Sequence, residues 1–160
     1  MNVGVEMSEY DYVVVGAGSA GCLLANRLTK DPRSRVLLIE AGDSDDYFWI
    51  PIPVGYLYTI GNPRTDWCYQ TEPEEGLNGR TLGYARGKVM GGCTSINAMI
   101  YMRGQAADYS NWVSSGNKAW SWNDVLPYFI GMEDYIHGAN QMHGEGGELP
   151  VQERRVDWEI

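Results

Sequence analysis

The stretch YDYVVVGAGSAGCLLANRLTKDPRSRVLLIEAG, Tyr10–Gly42, decides the fold class. Its β-branched start, Tyr10–Gly16, reads as a buried strand. GAGSAG, Gly16–Gly21, follows at once. The spacing then predicts a helix over SAGCLLANRLTK, with small residues on one side and Leu23, Leu24 and Leu28 on another, stopped by Asp31-Pro32. RVLLIEAG, Arg35–Gly42, is a second buried strand, and it brings Glu40 nineteen residues after Gly21. Strand, glycine turn, helix, strand and acid, in that order, form a dinucleotide-binding fingerprint. The expected class is α/β, a Rossmann-like βαβ unit.

Each residue of the fingerprint has a mechanical reason. Gly16 permits the tight turn, Gly18 leaves room for a pyrophosphate, and Gly21 lets the helix pack close to the strands. The helix start at Ser19 and Ala20 offers N–H groups and a positive dipole end to phosphate. Glu40, followed by Ala41, is placed to accept hydrogen bonds from an adenosine ribose. Its carboxylate disfavours a 2′-phosphate and so selects against NADP. FAD and NAD both remain open on these residues alone.

A second unusual stretch is RGKVMGGCTSINAMIYMRG, Arg86–Gly104. It is too glycine-rich for a plain helix and alternates too little for a plain strand. Between the two motifs, residues 43–83 are turn-rich, with one hairpin signal at Asn78-Gly79. Such a long connection is expected to carry short elements or a functional excursion. Beyond the second motif, Ala106–Val113 reads as a short helix. SWNDVLPYF has Ser121 as N-cap and Asp124 three residues on, with Pro127 near the first turns. Residues 137–147 read as loop, ELPV (Glu148–Val151) as a strand, and RVDWEI as the opening of a helix near Asp157. Residues 1–9 read as a loose leader.

Taken together, GAGSAGCLLANRL, LLIEAG and RGKVMGGCTSINAMIYMRG resemble the glucose–methanol–choline (GMC) oxidoreductases, most closely their choline-dehydrogenase-like branch. The flanking DWCYQTEPEEGLNGR, GNKAWSWNDVLPYF and HGEGGELPV match as well, so the resemblance covers nearly all of residues 10–160. It implies FAD as cofactor and an alcohol as substrate. It also implies that Arg86, Gly87 and the Gly91–Ile100 stretch lie along FAD, with Trp67 in a cofactor-side segment. Gly91 and Gly92 would let backbone pass close to the ring and ribityl chain. Thr94 and Ser95 offer hydroxyls, and Asn97 offers a donor and an acceptor. The N–H groups of Asn97 and Ala98 are expected to polarise the ring, with Met99 and Ile100 continuing the contact. Met90 and Cys93 depart from the family pattern as small changes of shape. Ile96 stands where some relatives carry a histidine bonded to the flavin. It has no nucleophilic atom, so the FAD is expected to be non-covalent.

The bulk properties exclude other classes. A formal net charge of −9 argues against a nucleic-acid surface. Cys22, Cys68 and Cys93 form no CxxC pair, so no metal site and no disulfide framework is expected. No run approaches the roughly 18 apolar residues of a membrane span. The N-terminal residues show no secretory pattern, and a cytoplasmic location is expected.

Hydride removal from an alcohol needs a base for the hydroxyl proton. The family supplies a histidine pair, or histidine and asparagine, from its far C-terminal part. The histidines here, His137 and His143, lie in a glycine-rich loop; His143 matches a structural turn of the family and otherwise reads as a solvent-side loop residue. No catalytic residue is therefore expected in this chain. The domains expected are the βαβ unit at 10–42, a flavin-contacting loop region at 43–105, and the start of the remaining FAD and substrate domain at 106–160. A complementing C-terminal polypeptide is the expected partner. Two other readings stay open: a non-catalytic FAD- or nucleotide-binding module, and an NAD-dependent dehydrogenase fragment.

Overall fold

A computed structural model describes residues 9–153; the expected leader and the RVDWEI helix lie outside them. The chain divides into two compact units, one running to Ile100 and the other beginning at Tyr101.

The first unit is built on β1 (Tyr12–Val15), α1 (Ser19–Leu28) and β2 (Val36–Ile39). The strands pair in parallel, Tyr12 beside Val36 through to Val15 beside Ile39. A right-handed crossover of this kind needs the helix to return close over the strands. Gly21 allows it, since a Cβ there would fall on the Gly16 carbonyl. The helix ends where the Thr29 hydroxyl donates back to the Ala25 carbonyl at 2.8 Å, just before Asp31-Pro32.

Two expectations about this unit need correction. The packing face of α1 is Gly21, Cys22, Ala25 and Leu28, whereas Leu23 and Leu24 are about half exposed. Close approach at Gly21 fixes the helix rotation and turns those two leucines outward. The strands form as read but are not buried: Val13 is 57% and Val15 82% exposed. A parallel strand is buried by neighbours on both faces and both edges, and these strands pair only with each other among the described residues.

The excursion after β2 carries short elements. A turn at Pro53–Gly55 leads into α2 (Tyr56–Thr59). Then β3 (Tyr69–Gln70) and β4 (Gly83–Tyr84) pair antiparallel. Asn78 (φ 56°) and Gly79 (φ 70°) supply the left-handed turn, closed by a bridge between Glu74 and Arg80. Both residue types tolerate that region, so the hairpin signal was sound. The chain then returns to the βαβ unit, where Val89 bridges Asp43 in parallel. Ala17, Val89 and Ile96, each at most 3% exposed, form the apolar core there.

The second unit holds α3 (Ala106–Ser114), α4 (Trp122–Met132), β5 (Glu133–Tyr135) and β6 (Leu149–Val151). The expected capping box is present: the Asp124 amide donates to Ser121 Oγ at 3.3 Å, and the Ser121 amide donates to Asp124 Oδ2 at 3.0 Å. Pro127 lies within the helix. β5 had no sequence signal; it pairs in parallel with β6. Tyr109 is buried against Trp112, Trp122 and Phe129 at ring-centre distances of 5.4–6.3 Å. Among the described residues no helix is long and apolar enough to cross a membrane.

Candidate functional site

The two glycine motifs meet in the first unit. The Gly91 amide donates to the Ala17 carbonyl at 2.7 Å, and the Met90 amide donates to the Asp43 carbonyl at 2.9 Å. Gly92, at φ 57°, lies against Gly18 so closely that a Cβ would come within 2.8 Å of the Gly18 Cα. A side chain at Gly92 would part the segments. The stretch at 89–92 is thus fastened, backbone to backbone, beside the N-terminus of α1.

A cleft of about 550 Å³ opens at this junction. Gly16, Gly18, Glu40 and Ala41 form one side, with Gly92 and Cys93 beside them; Trp67, Tyr69, Arg86 and Gly87 form another; Val15 and Ile39 add apolar surface. Gly16, at φ 94°, turns the chain between strand and helix. A Cβ on Gly16 or Gly18 meets no protein atom closer than 4.0 Å, so it would enter the cleft, while one on Gly21 would strike the strand turn. This is a cradle that only glycine leaves bare. Ser19 and Ala20 occupy the first turn of α1, with Gly18 as the N-cap and no side chain capping the helix. Its first N–H groups can therefore meet an anion.

Glu40 does more than face the cleft. Its Oε2 accepts the Ala17 amide at 2.7 Å and its Oε1 accepts the Gly42 amide at 2.9 Å. The carboxylate shapes the glycine turn, and each oxygen keeps a further lone pair for a sugar hydroxyl. Trp67, Tyr69 and Arg86 add aromatic and basic groups to the cleft lining. The Trp67 and Tyr69 rings are parallel within 4°, 5.8 Å apart. Lys88 Nζ sits 5.0 Å from the Trp67 ring, and the Arg86 guanidinium 4.0 Å from the Tyr84 ring. Parallel aromatic faces, cationic groups and a helix N-terminus fit a flat, phosphate-bearing ligand. The donor set and the bare glycine cradle therefore fit an adenine dinucleotide.

The stretch after Gly92 is arranged differently from the expectation. Thr94 Oγ1 donates to the Gly91 carbonyl, and Ser95 Oγ donates to the Met90 carbonyl at 2.7 Å. The Asn97 amide is committed to the Cys93 carbonyl at 2.9 Å, and Asn97 Oδ1 accepts the Met99 amide at 2.7 Å. The Asn97 N–H is thus removed as a ring-polarising donor. A tight turn following two left-handed glycines leaves nearby carbonyls for short hydroxyls to bond, and these side chains brace the loop. Ile96 is only 3% exposed and belongs to the core, while Asn97, Ala98, Met99 and Ile100 are exposed.

Sequence reasoning missed Asp66. It is 3% exposed, and its carboxylate accepts the amides of Gly61 at 2.7 Å, Arg86 at 2.9 Å and Cys68 at 3.0 Å. Burial pushes this carboxyl up, but the amides of Gly61, Cys68, Arg86 and Trp67 outweigh it and hold it below its ordinary value. The weak available signal was an acid lodged directly before a tryptophan in DWCYQ.

In the second unit His143 is not a loose solvent-side residue. Its Nδ1 lies 2.9 Å from Oε2 of fully buried Glu133, which also pairs with Arg103. A carboxylate only accepts, so Nδ1 is the donor. Burial raises the Glu133 carboxyl, but hydrogen bonds from Arg103, Tyr101 and His143 more than reverse this and bring it to about 2. His137 Nε2 lies 3.4 Å from Glu153. Among the described residues no group of three or more His, Cys, Asp or Glu could hold a metal ion.

A protein-family model described as GMC oxidoreductase matches residues 10–157. The chain is 46% identical over 142 residues to the oxygen-dependent choline dehydrogenase of Photobacterium profundum, covering 89% of this chain and 25% of that protein. Among solved structures it is similar to pyridoxine 4-oxidase from Mesorbium loti, with TM-score 0.80 and 45% identity over 89% of this chain and 28% of the other. It is also similar to a formate oxidase of Aspergillus oryzae, a variant bearing on FAD modification, with TM-score 0.79 and 29% identity over 94% and 28% of the two chains. The chain spans about a quarter of the length of the curated relatives it matches.

Proposed function

The chain belongs to the GMC oxidoreductase family, and from that premise we propose that it is the FAD-binding N-terminal portion of an enzyme that oxidises a primary or secondary alcohol. The observation that carries the reading is the joining of the two glycine motifs, Gly91 to Ala17 and Gly92 against Gly18, around one cleft. An NAD-binding βαβ unit has no need of that second segment. Residues 10–42 hold the ADP end, residues 43–105 bring the cleft wall and the ring-side stretch, and residues 106–160 begin the rest of the enzyme.

Bound FAD supplies the hydride acceptor. The chain's own residues bind and orient. The N–H groups at Ser19 and Ala20 would take the pyrophosphate. Glu40 would accept from the ribose. Trp67, Arg86 and Gly87 would hold the cofactor from the cleft lining, and Gly91–Ile100 would lie toward the ring. Ile96 has no nucleophilic atom, so the flavin would be held without a covalent bond at that position. The substrate is a small alcohol of the kind the relatives' names give, choline or pyridoxine.

The base that takes the hydroxyl proton comes from a complementing C-terminal polypeptide. Both histidines here are engaged with carboxylates, His143 with Glu133 and His137 with Glu153. The exposed strands β1 and β2 are the surface on which the missing strands of the sheet would pair. Purified protein with its complement should carry flavin absorbance, and an alcohol should bleach it anaerobically. A colourless preparation that FAD cannot reconstitute would contradict the proposal. Bound FAD without turnover would instead favour a non-catalytic FAD-binding module, a reading supported by the paired histidines.

A further inference from the structure

We propose that Asp66 is a positioning residue that builds the aromatic and basic wall of the cleft. The inference rests on the FAD reading above, because the wall matters only if the cleft takes an adenine dinucleotide. Trp67, Tyr69, Arg86 and Gly87 come from two segments twenty positions apart, and Asp66 is where those segments join. Its Oδ1 accepts from both, from Cys68 on one and Arg86 on the other. Backbone pairing surrounds this point: the Trp67 amide donates to the Arg86 carbonyl at 2.9 Å, and the Lys88 amide donates to the Thr65 carbonyl at 2.8 Å. Asp66 itself bridges Gly87.

The bond to Cys68 has a particular consequence. Cys68 sits at φ 53°, a left-handed conformation that residues with a side chain seldom adopt. It stands between Trp67 and Tyr69, whose rings lie parallel on one wall of the cleft. A regular strand also places residues two apart on one face, so the turn at Cys68 sets how the two rings are oriented rather than which face they take. The Asp66 carboxylate holds the Cys68 amide in the turned conformation and thereby orients both rings. The same oxygen fixes the backbone that carries Arg86. Asp66 is buried and is not among the residues that line the cleft, so its effect passes through these residues.

The test compares Asp66→Ala, Asp66→Asn and Cys68→Pro with the natural chain, each together with its C-terminal complement. The readouts are ADP and FAD affinity by calorimetry, near-ultraviolet circular dichroism of the stacked rings, and thermal stability. Asp66→Asn keeps an oxygen that can accept from both Cys68 and Arg86, and is expected to bind within about threefold of the natural chain. Asp66→Ala loses both bonds and is expected to bind about tenfold or more weakly, with the aromatic dichroism altered. Cys68→Pro, at an exposed position, removes one amide and forbids the left-handed turn. It is expected to lose binding while staying folded, and it decides the matter if Asp66→Ala does not fold. Natural affinity in Asp66→Ala or Cys68→Pro overturns the inference. So does an Asp66→Asn loss as large as that of Asp66→Ala, since the Gly61 contact would then carry the effect. A natural chain that binds neither ADP nor FAD overturns the FAD reading itself.

Discussion

Gly91 donates its amide to the carbonyl of Ala17 at 2.7 Å, so that residues 74 positions apart share one hydrogen bond. This bond places the second glycine motif on the first. Neither segment forms a site alone: the βαβ unit offers phosphate-binding amides, and the later stretch offers backbone that can run beside a flat ring.

The approach of Gly92 to Gly18 is one sensitive point of that junction. Gly92→Ala is expected to weaken FAD binding by about tenfold or more, since left-handed backbone alone costs an alanine about 1–2 kcal/mol and its Cβ would meet Gly18 at 2.8 Å. Gly76→Ala is the control, because a Cβ there meets nothing within 4 Å. Flavin fluorescence titration of both variants checks the difference.

Glu40 is expected to act twice, on the turn and on the ribose. Glu40→Ala removes the acceptor of the Ala17 and Gly42 amides. Two charge-assisted hydrogen bonds are worth about 1.5–3 kcal/mol each, so the variant should lose thermal stability as well as ADP affinity. Glu40→Gln keeps one acceptor oxygen and should fall between. A thermal melt with and without ADP separates the two effects.

The Glu133 carboxyl governs acid stability of the second unit. Its value is lowered from 4.5 to about 2. A depressed carboxyl contributes stability that is complete above its unfolded value and is lost as pH falls through the folded one. The loss is therefore expected between about pH 4.5 and pH 2. Glu133→Gln leaves Arg103 without its counter-charge and should cost about 3–5 kcal/mol near neutral pH. It should also flatten the acid transition. Circular dichroism against pH for both proteins checks this.

How much of this was legible in the sequence follows from how local each feature is. The βαβ unit announces itself by the order and spacing of its motif across Tyr10–Gly42, the capping box at Ser121 and the turn at Asn78-Gly79 depend on neighbours within a few positions, and each was readable. The outward rotation of Leu23 and Leu24 was not, because close approach at Gly21 sets it. Strand exposure was not, because burial depends on what covers a strand. The Asp66 node and the Arg103–Glu133–His143 cluster were hidden for the same reason. Their partners lie up to 20 and 30 residues away, and a buried acid announces itself only when its donors are known. The hydroxyls of Thr94 and Ser95 were read as ligand groups, since no local pattern shows that the loop's own carbonyls claim them.

The central claim is that two separated glycine motifs make one FAD site. Equilibrium titration of the chain together with its C-terminal complement with FAD, set against NAD under the same conditions, tests it most directly. The account predicts saturable binding of one FAD per chain, weakened by Gly92→Ala, and far weaker binding of NAD. Absence of saturable FAD binding, or NAD binding tighter than FAD, would contradict it.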